Sequence, residues 1–206
     1  MVSIVLFDVG NVVVKADHDR THRILHDQHH VLLEKAPRFF TNPDYAEFGR
    51  GNITDIQFHA ALRKHLELDL GYGAAFSAHN AHIYELDRHV VGLIEETKQR
   101  KCIGFLTDTN AWQTYRVEAE MIQLINHSPY VFRSNELHAL KTDPECFPKV
   151  IARLEEQLGI GASNIALVDD SVEKLAMAEK AGLVCILYQL HKPDKYTMLQ
   201  RDLEKV

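Results

Sequence analysis

The sequence predicts an α/β protein: a mostly parallel sheet sandwiched between helices, with a small helical insertion after the first strand. Three observations carry that expectation. Short, continuously apolar β-rich runs recur along the chain. The later ones alternate with helical patterns that carry their own start and stop signals. The interval 16–86 breaks the alternation, holding helical patterns and turns and no convincing strand. Continuous apolar strands separated by capped helices imply a sheet covered on both faces.

The predicted strands are "SIVLFDV", "KCIGFLTD", "PYVFRS", "NIALVDD" and "LVCILYQ". Within the interval 16–86, "NPDYAEFGRG" reads as a short proline-initiated helix ending near Gly49 or Gly51. "TDIQFHAALRKHLEL" opens with a capping box, Thr54 and Gln57, and places Phe58, Ala61, Leu62 and His65 on one stripe. Further on, "DPECFPKVIARLEEQLG" is expected to start at Asp143, with Pro144 at the first helical position. It sets Phe147, Ile151, Leu154 and Leu158 on one face and stops at Gly159. "SVEKLAMAEKAG" runs from Ser171 to Gly182 in the same manner, and the charged tail "HKPDKYTMLQRDLEKV" reads as a terminal helix.

Composition bounds the function. The 206 residues suffice for one core plus a small insertion, and 46% apolar with 25% charged residues is ordinary for a soluble protein. A formal net charge of −6 argues against nucleic acid or an anionic membrane as the partner. No apolar run reaches the ~20 residues of a membrane span, and "MVSIVLFDV" reads as a strand instead of a signal peptide. Cys102, Cys146 and Cys185 are widely spaced, which predicts three small buried hydrophobes in a reducing cytoplasm.

In open parallel sheets, ligands sit beyond the carboxyl ends of the strands. There the sequence delivers Asp8 from the first strand, Thr107, Asp108 and Asn110 in "LTDTN", and Asp169 and Asp170 in "VDDS"; Lys141 precedes the helix after the third strand. A carboxylate ending an apolar strand is costly unless paired. Hard oxygen ligands without histidine or cysteine favour Mg²⁺, and a carboxylate can act as the nucleophile of phosphoryl transfer. Thr107 and Lys141 would then hold and neutralise phosphoryl oxygens.

Taken in order, "FDVGNVV", "LTDTN", "LKTDPECF" and "LVDDSVEKLAMAEKAG" resemble the haloacid dehalogenase-like (HAD) hydrolase superfamily over nearly the whole chain. The subgroup most similar in its first two motifs includes phosphatases acting on glucose 1-phosphate. The resemblance implies a Rossmann-like core, residues 1–15 and 87–206, and a helical cap, residues 16–86. It implies a nucleophile and metal ligand at Asp8, a metal-binding backbone carbonyl at Gly10, and a phosphate-binding hydroxyl at Thr107. Lys141 matches the stabilising lysine, Asp170 an acidic metal ligand, and Asp169 a ligand or its neighbour. Asp108 and Asn110 are expected beside the substrate. The implied cofactor is Mg²⁺, and the implied partner a small phosphorylated metabolite such as a sugar phosphate, bound by a cytoplasmic monomer or homodimer.

The sequence departs from the family at two positions. Gly10 stands where most of its phosphatases carry a second aspartate as acid and base, and Thr142 follows Lys141 where proline is usual. Loss of the proline is expected to loosen Lys141. Two alternatives to a phosphatase stand: a 2-haloacid dehalogenase, which also uses an aspartate nucleophile but no metal and which the "VDDS" acids argue against, and a binding or regulatory module that lost turnover with the second aspartate and the Lys-Pro pair. The run "HDRTHRILHDQHH" places His18, His22, His26 and His30 at i, i+4 spacing, read as a solvated face against the alternative of a metal site. Trp112 and Tyr115 either line a pocket or pack their helix.

Overall fold

The computed structural model describes residues 1–120 and 128–206; for 118–120 it describes the backbone only. Five parallel strands form the central sheet in the order β5-β4-β1-β6-β7: β1 (Ile4–Phe7), β4 (Cys102–Thr107), β5 (Val131–Arg133), β6 (Ile165–Asp169) and β7 (Val184–Leu187). All five coincide with the predicted runs. β1 is central, pairing Phe7 with Phe105 of β4 and with Val168 of β6. Alternate side chains of β1 enter opposite cores, Val5 and Phe7 on one face and Ile4 and Leu6 on the other. Gly104 belongs in β4 because a Cβ there would meet Tyr130 O at 2.7 Å.

Helices cover both faces. Residues Val90 and Ile94 of α6 (Arg88–Lys98) and Leu199 and Leu203 of α11 (Lys195–Lys205) pack on the Val5 side. The Ile4 side receives Leu137 of α8 (Ser134–Leu137), Phe147, Val150 and Leu154 of α9 (Cys146–Leu158), and Leu175 and Ala178 of α10 (Val172–Lys180). Helix α9 ends at Gly159, in the left-handed region at φ 66° as expected. Its start is later than the sequence reading, at Cys146, because the Asp143 carboxylate is taken by Arg50 and by the Leu140 N–H instead of capping the helix. Ser171 caps α10 through the Lys174 N–H.

The interval after β1 holds α1 (His18–His29), α2 (Arg38–Thr41), α3 (Pro43–Gly49), α4 (Asp55–Leu66) and α5 (Tyr72–Asn80). The capping box of Thr54 and Gln57 is formed at the start of α4. These helices share a core of their own, built around Phe39, Phe48, Phe58 and Leu62. Trp112 of α7 (Ala111–Glu120) is buried in that core, whereas Tyr115 is exposed. Trp112 therefore packs the helices together instead of lining a pocket. The absence of a strand from 16–86 is corrected by the structure: β2 (Val14–Ala16) and β3 (Ile83–Leu86) pair as a two-stranded antiparallel ribbon where the chain leaves and rejoins the sheet domain. A three-residue strand is too short to show a period.

Two smaller expectations also change. Cys146 is buried and Cys185 half-buried, but Cys102 is exposed at the start of β4. On α1, His18 and His26 are exposed and His22 half-buried, while His30 lies beyond the helix in the left-handed region and leaves the stripe. No helix among the described residues is long and apolar enough to cross a membrane.

Candidate active site

The site lies at the carboxyl edge of the sheet, where the chain leaves the β1-β4-β5 side and resumes at β6 on the other side of β1. Such reversals open a crevice between strand ends. The Asp8 N–H donates to Val168 O (2.9 Å), continuing the β1–β6 ladder and setting Asp8 opposite Asp169. The Val9 N–H donates to Asp8 Oδ1 (2.7 Å), which holds the carboxylate at the strand end. Asp8 and Asp169 are buried and Asp170 is half-buried. One carboxylate oxygen from each lies within 4.8 Å of the others.

Lys141 is the counter-charge. Its ammonium is wholly buried, 2.8 Å from Asp8 Oδ1 and 2.5 Å from Asp169 Oδ2. Its backbone N–H donates to Asp108 Oδ1 (2.8 Å). Lys141 makes these three contacts with threonine, not proline, at 142. Burial alone would push the Lys141 ammonium down, but Asp8 and Asp169 outweigh it and hold it above its ordinary value. Burial raises the Asp8 carboxyl against the pull of Lys141. Asp170 is raised by burial and by the neighbouring Asp8.

A second cation was missed in the sequence. Lys174, in the first turn of α10, sits 3.1 Å from Asp108 Oδ2 and 4.0 Å from Asp8 Oδ2. Burial opposes its charge, and Asp8 and Asp108 more than restore it. One signal was available: a lysine at a helix N-terminus opposes the macrodipole and needs another reason to be there.

A pocket of about 160 Å³ opens over these groups, lined by Asp8, Gly10, Thr107, Asp108, Asp170 and Lys174 from the sheet side. Val14, Ala16, His18, His82 and Ile83 line it from the ribbon and its flanks, and Gln113 from α7. Thr107 is thus where the sequence placed it. Asp108 lines the pocket too, but both its oxygens are engaged, by the Lys141 N–H and by Lys174. Asn110 is not among the lining residues; it is buried and caps α7, accepting from the Gln113 N–H (3.1 Å). Asn11 has φ 59° and its side chain bonds Asp170 and accepts from the Ala16 N–H (3.1 Å). Gly10 has open space on its Cβ side, with no heavy atom within 4 Å.

The donor set suits a hard divalent cation. Four carboxylates, Asp8, Asp108, Asp169 and Asp170, face two lysines, which leaves an excess of negative charge beside a half-open cluster of three acids. Among the described residues this is the one cluster with metal-ligand geometry. Two of the α1 histidines instead meet protein atoms: His22 Nδ1 lies 3.2 Å from Asp19 Oδ1, and His26 Nδ1 3.0 Å from Val31 O.

No protein-family model and no curated protein sequence matches the chain. Solved structures do. The HAD family enzyme bt-2542 from Bacteroides thetaiotaomicron, in complex with magnesium and inorganic phosphate, aligns with a TM-score of 0.79 at 17% identity, covering 93% of this chain and 96% of that one. A HAD-like family hydrolase from Porphyromonas gingivalis aligns at 0.78 with 14% identity, covering 98% of each chain. The L-2-haloacid dehalogenase from Xanthobacter autotrophicus aligns at 0.64 with 14% identity, covering all of this chain and 83% of that one.

Proposed function

From a chain with the fold of the HAD-family enzymes, we propose a Mg²⁺-dependent phosphatase acting on a small phosphorylated metabolite, a sugar phosphate above all. The observation that carries this reading is the Asp8–Lys141–Asp169 arrangement beneath an open pocket: a fixed carboxylate at a strand end, one buried ammonium between two acids, and a third acid beside them. The magnesium and phosphate bound by bt-2542 support it.

In this reading Asp8 attacks phosphorus through one carboxylate oxygen, and water then cleaves the aspartyl-phosphate. Lys141 holds Asp8 in position and offsets the charge that gathers on the phosphoryl oxygens. Lys174 and the Thr107 hydroxyl face the same pocket and bind phosphoryl oxygens from other sides. Asp8, Asp169, Asp170 and the Gly10 carbonyl would hold Mg²⁺, which supplies further charge neutralisation when bound. Residues 16–86 act as a cap that selects the leaving group, over a core of residues 1–15 and 87–206. The protein would work in the cytoplasm as a monomer or homodimer, without nucleic acid or membrane.

A dehalogenase needs no metal, and three clustered acids would repel a haloacid, so that activity is disfavoured despite the shared fold. Gly10 favours a second reading, a module that binds phosphate without turnover, because no carboxyl stands at that position to move a proton. Phosphate release from sugar phosphates and p-nitrophenyl phosphate, with Mg²⁺ or EDTA, tests the proposal. Metal-dependent release by the natural protein, lost in Asp8→Asn, is expected; equal background release from both overturns it in favour of the binding module.

A further inference from the structure

The proton problem posed by Gly10 has a solution in the pocket wall. Leaving-group oxygens of ordinary alcohols need a proton as the P–O bond breaks, and a positioned acid is worth roughly 10²–10⁴-fold. Among the described residues, six titratable side chains line the pocket: Asp8, Asp108, Asp170, Lys174, His18 and His82. Asp8 is the nucleophile, Asp170 belongs to the acidic cluster, and Asp108 and Lys174 are paired with each other.

His82 is also committed. Its Nδ1–H donates to His79 O, and its Nε2 accepts from Gln113 Nε2 (3.0 Å). Gln113 Oε1 accepts in turn from Asn110 Nδ2 (3.1 Å), so the chain of bonds is closed. His18 differs. Its ring is stacked on Phe40, with centroids 3.9 Å apart and planes 14° from parallel, and it meets His82 edge-on at 5.4 Å. The stacking fixes the ring plane, yet neither ring nitrogen has a hydrogen-bond partner among the described residues. The residue lines the pocket and is exposed to solvent.

We propose that His18 is the proton donor and acceptor of the reaction, taking the part for which Gly10 has no side chain; the inference rests on the phosphatase reading. In the first step the Asp8 Oδ–P bond forms, the P–O bond to the leaving group breaks, and the His18 N–H proton passes to the departing oxygen. In the second, water forms the new P–O bond, the Asp8 Oδ–P bond breaks, and a water proton returns to His18. Charge and protons balance over the cycle.

The test is first-turnover and steady-state kinetics of His18→Gln on an alkyl phosphate and on p-nitrophenyl phosphate, whose leaving group needs little protonation. First-turnover alcohol release is expected to fall by roughly 10²–10⁴-fold. Nitrophenol release should instead give a stoichiometric burst followed by slow turnover, because only the water step still lacks its base. His18→Phe keeps a ring for Phe40 and should behave alike, and Gly10→Asp introduced into His18→Gln should restore alkyl turnover. Equal losses on both substrates without a burst assign His18 a packing role and overturn the inference, as does an unchanged rate. A natural protein that releases no phosphate from any substrate overturns the phosphatase reading first, and this inference with it.

Discussion

Arg50 and Asp143, 93 residues apart in sequence, are joined by two hydrogen bonds of 2.7 Å each. The pair ties the end of α3 to the loop that carries Lys141, since Asp143 Oδ2 also accepts from the Leu140 N–H (2.8 Å). Arg50 O receives His138 Nδ1 nearby (3.0 Å), and the Ser134 hydroxyl reaches Gly49 O (2.7 Å). A forked, partly buried guanidinium–carboxylate pair is stronger than the usual surface ion pair. Arg50→Ala should therefore lower unfolding free energy by roughly 1–2 kcal/mol, read from urea denaturation. If the protein is the proposed phosphatase, the same substitution should reduce phosphate release and leave Mg²⁺ affinity unchanged. An unchanged urea midpoint would show that the pair contributes nothing.

Lys174 lends itself to a cleaner substitution. Lys174→Met keeps the length of the stem and removes the charge facing Asp8 and Asp108. A ligand-binding charge lost from a desolvated pocket costs transition-state stabilisation. We expect kcat/KM to fall by roughly 10²–10³-fold, with thermal stability little changed. A variant as active as the natural protein would remove Lys174 from the site.

Acid should weaken the helical interval before it touches the sheet. His79 and His82 are buried beside Phe39, Phe40 and Tyr45. Burial holds His79 well below its ordinary value of 6.5 and pushes His82 down to about 4, the nearby His18 adding to the shift. The unfolded chain binds these protons near pH 6.5 and the folded chain does not. Stability is thus fully present above that pH and is lost as pH falls toward 4, by about 1.4 kcal/mol per histidine per pH unit. Urea midpoints at pH 7 and pH 5 should differ accordingly, and His82→Gln should flatten the dependence. The same slope in both proteins would contradict the assignment.

Thiol labelling should separate the cysteines. Cys102 is exposed, whereas burial pushes the Cys146 thiol up to about 12 and Cys185 up to about 11. Near neutral pH a maleimide should modify Cys102 in the folded protein and reach the other two only after denaturation. Peptide mass mapping reads the order.

The sheet was legible because each of its strands is a continuous apolar run, and the Asp8, Lys141 and Asp170 positions because chemistry at strand ends leaves a compact motif. Lys174 was not, since a helix-borne lysine reads as solvated until the fold brings Asp108 against it. Asn110 was read as substrate-facing from its motif, yet the polar side chain is used to start α7. Asp143 was read as a cap because its partner, Arg50, is invisible at that separation. His18 lay within a histidine run whose spacing suggested one shared role. It is the parallel stacking on Phe40 that sets it apart, since His22 meets the same ring tilted at 5.9 Å.

The ribbon of β2 and β3 has a mechanical consequence. Both crossings between the helical interval and the sheet domain pass through these two strands, and they are hydrogen-bonded to each other. Any displacement of the helices against the sheet must therefore carry both paired strands together. Arg50 and Asp143 join the same two parts at a second place, so the pocket wall supplied by His18, His82 and Ile83 is held by two separate ties.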